Sequence, residues 1–330
     1  MLPVIAITIG DVNGIGPEII LKAFDRSELF DICRPVVYGP QHVLEHYRER
    51  LGIDLEVHVI ADPNEAREQV LSCIETPGMF DAGDIGKPTE TSGTISIKAI
   101  EAAVDAARRG TVQALVTAPI SKEAIAMAGS PYPGHTEMLA SLCGAGEEVL
   151  MILSSNTMNV GLVTIHVPLS EVSSLITRER VERTIRLGYR FLEDDYGIED
   201  AKIAVLALNP HASDGGLMGR QEQQILLPAI EGMRSHDIDV DGPFPADGFF
   251  SAHTQQMYDL IIAMYHDQGL IPFKLQSMGR GVNITAGLPI VRTSPDHGTA
   301  YNIASLGIAQ AESMKEAVYF ARTIAMNRLQ

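Results

Sequence analysis

Short runs of Val, Ile, Leu and Ala recur along the chain, separated by longer stretches in which apolar residues return every three or four positions. Val4 to Ile9, Pro35 to Tyr38, Val57 to Ile60, Ala114 to Thr117, Asn159 to Ile165, Ile203 to Leu208 and Asp259 to Met264 read as strands. Their apolar character is continuous rather than alternating, the pattern of strands covered on both faces. Helical stretches lie between them. Thr94 to Arg108 follows Thr91-Ser92-Gly93 and carries Ile97, Ile100, Ala103, Val104 and Ala107 on one stripe. Thr177 is suited to cap a helix that buries Val181, Ile185 and Leu192, and Ile225 to Met233 gives another. Strands alternating with helices predict an α/β fold with a mainly parallel sheet. No internal repeat, low-complexity tract or flexible linker interrupts it.

The 330 residues give room for two α/β lobes or one large domain, at about 150 residues per domain. With 25 Lys and Arg against 42 Asp and Glu, the formal net charge is −17. Such acidity repels phosphate backbones and argues against nucleic acid as a partner of the whole molecule. The start, Met1-Leu2-Pro3-Val4-Ile5, has no basic segment and reaches Asp11 too early for a signal peptide. No apolar run approaches the roughly 20 residues that span a bilayer. Cys33, Cys73 and Cys143 lack metal-type spacing, which suits a reducing compartment. The expectation is a soluble, cytoplasmic protein without a membrane partner.

Charge is uneven along the chain. Residues 266–330 hold six basic residues and four acidic ones, and three of the former, Lys274, Arg280 and Arg292, surround the glycine-punctuated Gly279-Arg280-Gly281-Val282-Asn283. A cationic patch where backbone can approach closely points to a small anionic ligand; solvated surface charges are the alternative.

Three histidines share one local setting. His166 follows Val163-Thr164-Ile165, His211 follows Leu206-Ala207-Leu208-Asn209-Pro210, and His266 follows Ile262-Ala263-Met264-Tyr265. Each stands just past the carboxyl end of an apolar strand, where open α/β sheets bind their ligands. Three imidazoles suit a borderline divalent metal and leave positions open for substrate. Their separations are too long for a local zinc motif, so the fold would have to bring them together. Asp214, Asp247 and Asp267 are near enough in sequence to hydrogen-bond the ligands or accept a proton. Gly134-His135-Thr136-Glu137 precedes the helical Met138 to Leu142, either as a helix N-terminus that binds phosphate or carboxylate or as an ordinary threonine cap. Gly14-Ile15-Gly16-Pro17-Glu18-Ile19 lacks the last glycine of a dinucleotide fingerprint and reads better as a tight strand-to-helix turn.

Taken in order, several segments resemble one family. They are Gly14-Ile15-Gly16-Pro17-Glu18, Val116-Thr117-Ala118-Pro119-Ile120-Ser121-Lys122, Gly134-His135-Thr136-Glu137, Asn209-Pro210-His211-Ala212 and Gly242-Pro243-Phe244-Pro245-Ala246-Asp247. Ala263-Met264-Tyr265-His266-Asp267-Gln268-Gly269, Gly279 to Thr285 and Arg292 to Ala300 complete the set. Over essentially the whole chain this is similar to the 4-hydroxythreonine-4-phosphate dehydrogenases of pyridoxal phosphate biosynthesis. Val12-Asn13 departs from the Pro-Ala usual before the Gly14 position.

The resemblance implies a two-lobed α/β/α subunit related to the isocitrate and isopropylmalate dehydrogenases, its active site in the interlobe cleft at a homodimer interface. Residues 1–130 plus 272–330 would form the dinucleotide lobe, and 131–271 the metal and dimerisation lobe. It implies a divalent metal (zinc, magnesium or cobalt) on His166, His211 and His266, with ligands shared between subunits. Substrate contacts would come from His135, Thr136, Lys274, Asn283 and Arg292. Asp296, His297, Gly298, Thr299 and Asn302 are similar to the loop that holds the dinucleotide in β-decarboxylating dehydrogenases, here NAD or NADP. The implied reaction oxidises 4-(phosphooxy)-L-threonine to a β-keto acid that loses CO₂, with Asp247 and Asp267 as candidate proton acceptors. Relatives acting on phosphothreonate or aromatic cis-dihydrodiols share the histidines, and the phosphate contacts favour a phosphorylated substrate. A metal-dependent hydrolase or aldolase and a non-catalytic phosphometabolite-binding protein are the rival classes. The late loop argues against both.

Overall fold

All seven apolar runs are strands in the structure, a computed structural model that describes residues 2–252 and 254–329. Numbered along the chain, the described strands are β1 (Val4–Thr8), β2 (Arg34–Tyr38), β3 (Val57–Val59), β4 (Leu71–Ile74), β5 (Ala114–Thr117), β6 (Leu150–Ser154), β7 (Asn159–Leu162), β8 (Lys202–Leu206), β9 (Asp239–Phe244), β10 (Leu260–Ala263), β11 (Val282–Ala286) and β12 (Arg292–Pro295). The helices used below are α1 (Gly16–Phe24), α2 (Gln41–Leu51), α3 (Glu90–Arg108), α4 (Lys122–Met127), α5 (His135–Cys143), α6 (Leu169–Leu175), α7 (Arg178–Arg190), α8 (Leu227–Arg234), α9 (Ala246–Ser251), α10 (His266–Ser277) and α11 (Glu312–Arg328).

The chain divides into two compact units, one of Met1–Glu147 with Leu288–Gln330 and one of Glu148–Gly287. Both boundaries fall later than the switch points expected near 130 and 272. His135 and Thr136 therefore belong with the first unit, and Lys274 and Asn283 with the second.

In the first unit the strand order is β3-β4-β2-β1-β5-β12, and every neighbouring pair is parallel. Val4–Thr8 is buried along its whole length, as its unbroken apolar sequence requires. The order reverses between β1, which leads out to β2, and β5 on its other side, and the loops beyond these two carboxyl ends are joined by the Asp11 amide donating to the Pro119 carbonyl at 2.8 Å. The second unit has the order β11-β6-β7-β10-β8-β9. There β6 runs antiparallel to both β7 and β11, while β7, β10, β8 and β9 are parallel. Leu153, Val160, Leu162, Leu206, Ile261, Leu270 and Phe273 form its core on one side of the sheet. Each such side chain contributes about 1.5–3 kcal/mol by leaving water.

Helix starts follow the local chemistry. The Thr177 hydroxyl accepts from the Arg180 amide at the head of α7, whose Val181 and Ile185 are buried. Helix α3 begins at Glu90, one turn before the expected Thr94, because Thr89 and Ser92 close a reciprocal capping box. Gly93 is thus inside the helix, where its missing Cβ lets α3 approach the Ala124 carbonyl of α4. Among the described residues no helix is long and apolar enough to cross a membrane. Gly93→Ala should lower stability by about 1–3 kcal/mol, because backbone on both sides cannot yield. Urea unfolding measures this, and an unchanged midpoint would show that α3 and α4 are not held together here.

Candidate active site

Two of the three histidines are neighbours. Strands β7 and β10 pair in parallel up to Leu162 and Ala263, and the chain leaves each carboxyl end toward His166 and His266. Their ring centroids are 5.6 Å apart. Both line a pocket of about 340 Å³ with Val167, Leu169, Tyr265 and Asp267. His266 opens α10, and its Nδ1 lies 2.7 Å from Asp267 Oδ1, so Nε2 is the ring nitrogen that this carboxylate leaves for a ligand. Gly269, one turn on, has no Cβ to collide with Val160, so α10 sits hard against β7.

His211 lies beyond β8, the next strand in the sheet, at the start of a run with positive φ. His211, Ala212, Ser213 and Asp214 have φ between 44° and 66°, and Gly215 continues the run at 66°. Each non-glycine residue there costs roughly 1–2 kcal/mol, and such a turn persists only where its surroundings hold it. Buried Glu222 does so from below. Its Oε1 accepts from the Asn209 amide at 2.7 Å and its Oε2 from Asn209 Nδ2 at 2.9 Å, while Gln221 takes the same Nδ2 at 2.9 Å. Among the described residues no group of three His, Cys, Asp or Glu side chains is gathered closely enough to hold a metal. One chain thus pairs His166 with His266 and presents His211 separately. The donor set, two adjoining imidazoles with one ring nitrogen oriented by a carboxylate, fits a borderline divalent metal. Asp247 is exposed in the first turn of α9, and no hydrogen bond ties it to the histidines among the described residues.

A second constellation forms at the head of α5. Its N-cap is Gly134, which offers no side-chain hydrogen bond, so the threonine cap is not formed and half-buried Thr136 stands in the first turn. His135 Nε2 is enclosed and has no hydrogen-bond partner. Burial, and then the nearby Arg292, push the His135 pKa well below its ordinary value, so the ring is neutral near pH 7. Arg292 is buried on β12 and donates from Nε and Nη2 to Thr117 Oγ1 at 3.2 and 2.8 Å. Burial lowers its pKa to about 10, which leaves it cationic at neutral pH. A buried cation, a neutral imidazole and the first-turn amides of a helix together suit an anion. In the second unit, Lys274 is exposed on the last turn of α10, and Asn283 on β11 has an enclosed Oδ1 with no hydrogen-bond partner.

The early glycine turn and the late loop occupy one place. The Ile15 amide donates to the Thr299 carbonyl at 3.0 Å, and a Cβ on Gly14 would collide with that carbonyl. Beneath them lies Asp11, which sequence reasoning passed over. Its Oδ1 accepts from the Asn13 amide at 2.9 Å, and its Oδ2 from Ser92 Oγ at 3.0 Å and Tyr301 OH at 2.7 Å. Burial raises the Asp11 pKa, with these donors opposing the shift. One carboxylate therefore joins the β1–α1 loop, the head of α3 and the late loop. Within that loop, Asp296 N donates to Ser313 Oγ at 3.1 Å, His297 Nδ1 lies 3.2 Å from the Gly298 carbonyl, and Asn302 is exposed.

Histidines at the ends of adjoining parallel strands, with a buried cation beside a helix head, mark the chain as an α/β enzyme. It belongs to the family described as pyridoxal phosphate biosynthetic protein PdxA, whose model matches residues 31–321. It is 42% identical over 324 residues to 4-hydroxythreonine-4-phosphate dehydrogenase of Bacteroides thetaiotaomicron, covering 98% of this chain and 89% of that one. A relative from Oceanobacillus iheyensis, 39% identical over 327 residues and 98% of each chain, carries the provisional name D-threonate 4-phosphate dehydrogenase. The crystal structure of 4-hydroxythreonine-4-phosphate dehydrogenase from Klebsiella pneumoniae superposes with a TM-score of 0.89 at 39% identity, covering 98% of both chains.

The depressed His135 pKa sets a sign for stability against pH. An unfolded histidine binds a proton below about 6.5 and the folded one does not, so stability is full above that pH and falls as pH drops. The contribution approaches about 1.4 kcal/mol per pH unit on the acid side. Urea unfolding between about pH 7.5 and 5 should give a steeper loss for the wild type than for His135→Asn. Equal slopes would show that His135 takes up its proton in the folded protein.

Proposed function

We propose that the protein oxidises 4-(phosphooxy)-L-threonine with NAD or NADP to 2-amino-3-oxo-4-(phosphooxy)butanoate, which loses CO₂ to give 3-amino-2-oxopropyl phosphate on the route to pyridoxine 5′-phosphate. One observation carries the reading: a chain of this family buries the Arg292 cation beside a neutral His135 at the head of a helix.

Arg292, His135 and Lys274 hold the phosphate, and Thr136 and Asn283 complete the substrate contacts. Because Thr117 already fixes the guanidinium, phosphate binding orders little further side chain, and its binding energy goes into placing the reacting carbon. The neutral imidazole offers a hydrogen bond without adding charge beside Arg292. A divalent metal (zinc, magnesium or cobalt) held by His166, His211 and His266 would lower the pKa of the substrate hydroxyl and steady charge on the keto oxygen. NAD or NADP, held by Asp296, His297, Gly298, Thr299 and Asn302, would take the hydride. Asp247 and Asp267 are the carboxylates proposed to take the hydroxyl proton, and Asp267 also orients His266.

The working form we infer is a cytoplasmic homodimer in which the metal ligands come from both subunits. Two features support this: one chain pairs two of the histidines and not the third, and α10 carries an exposed apolar stripe. Ile271 and Leu275, one turn apart on α10, and Met278 at its C-cap are 58%, 74% and 85% exposed.

A second reading, oxidation of 4-phosphothreonate by the same residues, is favoured by the Oceanobacillus iheyensis relative. Absorbance at 340 nm with either dinucleotide, added zinc or magnesium, and each substrate in turn tests both. Metal-dependent reduction faster with 4-(phosphooxy)-L-threonine is expected. Preference for the threonate would move the enzyme to another pathway, and silence with both would favour the hydrolase or binding-protein class.

A further inference from the structure

The three histidines depend on strand ends that continue beyond the last regular ladder pairs, and one side chain joins two of them. Gln268, in the first turn of α10, accepts the Met264 amide on Oε1 at 2.7 Å and donates from Nε2 to the Ala207 carbonyl at 2.6 Å. Met264 precedes His266 by two residues, and Ala207 precedes His211 by four. The Ala207 amide is already given to Phe244 of β9 at 2.8 Å, so Gln268 takes the carbonyl that the sheet leaves over. On the other side of β10, Thr164 donates from its amide and its hydroxyl to the Met264 carbonyl at 3.2 and 2.7 Å. Thr164 precedes His166 by two residues. The Met264 carbonyl is therefore held by the neighbouring His166 segment, and its N–H by Gln268 of its own segment, which in turn reaches the His211 segment.

We propose that Gln268 is a positioning residue for the metal site: its amide fixes the spacing between the β8 and β10 exits, and so between His211 and His266 within each chain. A side-chain amide is the group that can do this. It must accept from an N–H and donate to a carbonyl at once, and leucine, of similar size, does neither. Removing it leaves both backbone groups without their partner and frees the two exits to drift, and small losses of ligand geometry are read directly as metal affinity. The inference rests on the proposed three-histidine metal site.

Cobalt(II) titration of the metal-free full-length protein, followed by its visible d–d absorption, separates the two claims. Wild-type protein should bind cobalt with a defined spectrum that His211→Ala loses. If His211→Ala binds as wild type does, the histidine site fails and this inference with it. With that control in place, Gln268→Leu should bind cobalt about 10- to 100-fold more weakly, with an altered spectrum and a folded circular dichroism trace. Cobalt affinity within twofold of wild type and an unchanged spectrum would overturn the proposal, even if the variant melts at lower temperature. Should Gln268→Leu not fold, Gln268→Glu decides by the same titration, since its carboxylate accepts from Met264 but cannot donate to Ala207.

Discussion

Parallel strands covered on both faces leave a chain few places for reactive side chains. Along the central strands the backbone groups are used by the sheet and the side chains by the core. Chemistry is pushed to the carboxyl ends, where the ladder stops and the chain must find other partners for its N–H and C=O groups. Nearly everything of interest here follows from how those ends are finished. In the second unit, β7, β10 and β8 each lead toward a histidine, and Thr164, Gln268 and Glu222 supply the hydrogen bonds the sheet no longer does. In the first unit the same task falls to Asp11, which binds three segments where the strand order reverses between β1 and β5.

Electrostatics divides the labour. The molecule as a whole is acidic, so an anionic substrate is not drawn to it by net charge. Attraction has to be local, and in the proposed site a buried guanidinium would supply it, because its field is little screened by solvent. Arg292 is desolvated enough to lower its pKa and still stays charged. The same cation, after burial itself, helps keep His135 neutral. The backbone strain in the run His211 to Asp214 has a matching logic: a left-handed turn aims a side chain where a regular exit could not, and buried Glu222 holds it there.

Much of this was legible in the sequence because the strand exits repeat one pattern, an apolar run ending in a histidine. That pattern located all three imidazoles and three strands, and continuous apolar runs located four more. It could not find β12, whose Arg-Thr-Ser-Pro is polar yet wholly buried, because its Thr293 hydroxyl is spent on the Ala317 carbonyl and its arginine on Thr117. Nor could hydropathy show that the glycine turn at Gly14 and the loop at Thr299 are one place, since that contact joins the two ends of the chain. Gln268 and Asp11 were missed for a shared reason. Gln268 acts through two backbone groups and Asp11 through one amide and two hydroxyls, and a hydrogen bond to a distant carbonyl or hydroxyl leaves no periodic trace. The one signal available was position, Asp11 directly after the Gly10 turn and Gln268 two residues past a histidine.

The central claim, that His166, His211 and His266, drawn from both subunits, supply three imidazoles to one metal, is tested most directly by X-ray absorption at the zinc edge on the zinc-loaded protein in solution. Three histidine nitrogens at about 2.0–2.1 Å, reduced to two in His211→Ala, is the predicted result. A shell with sulfur near 2.3 Å, or one of oxygen alone, would contradict it.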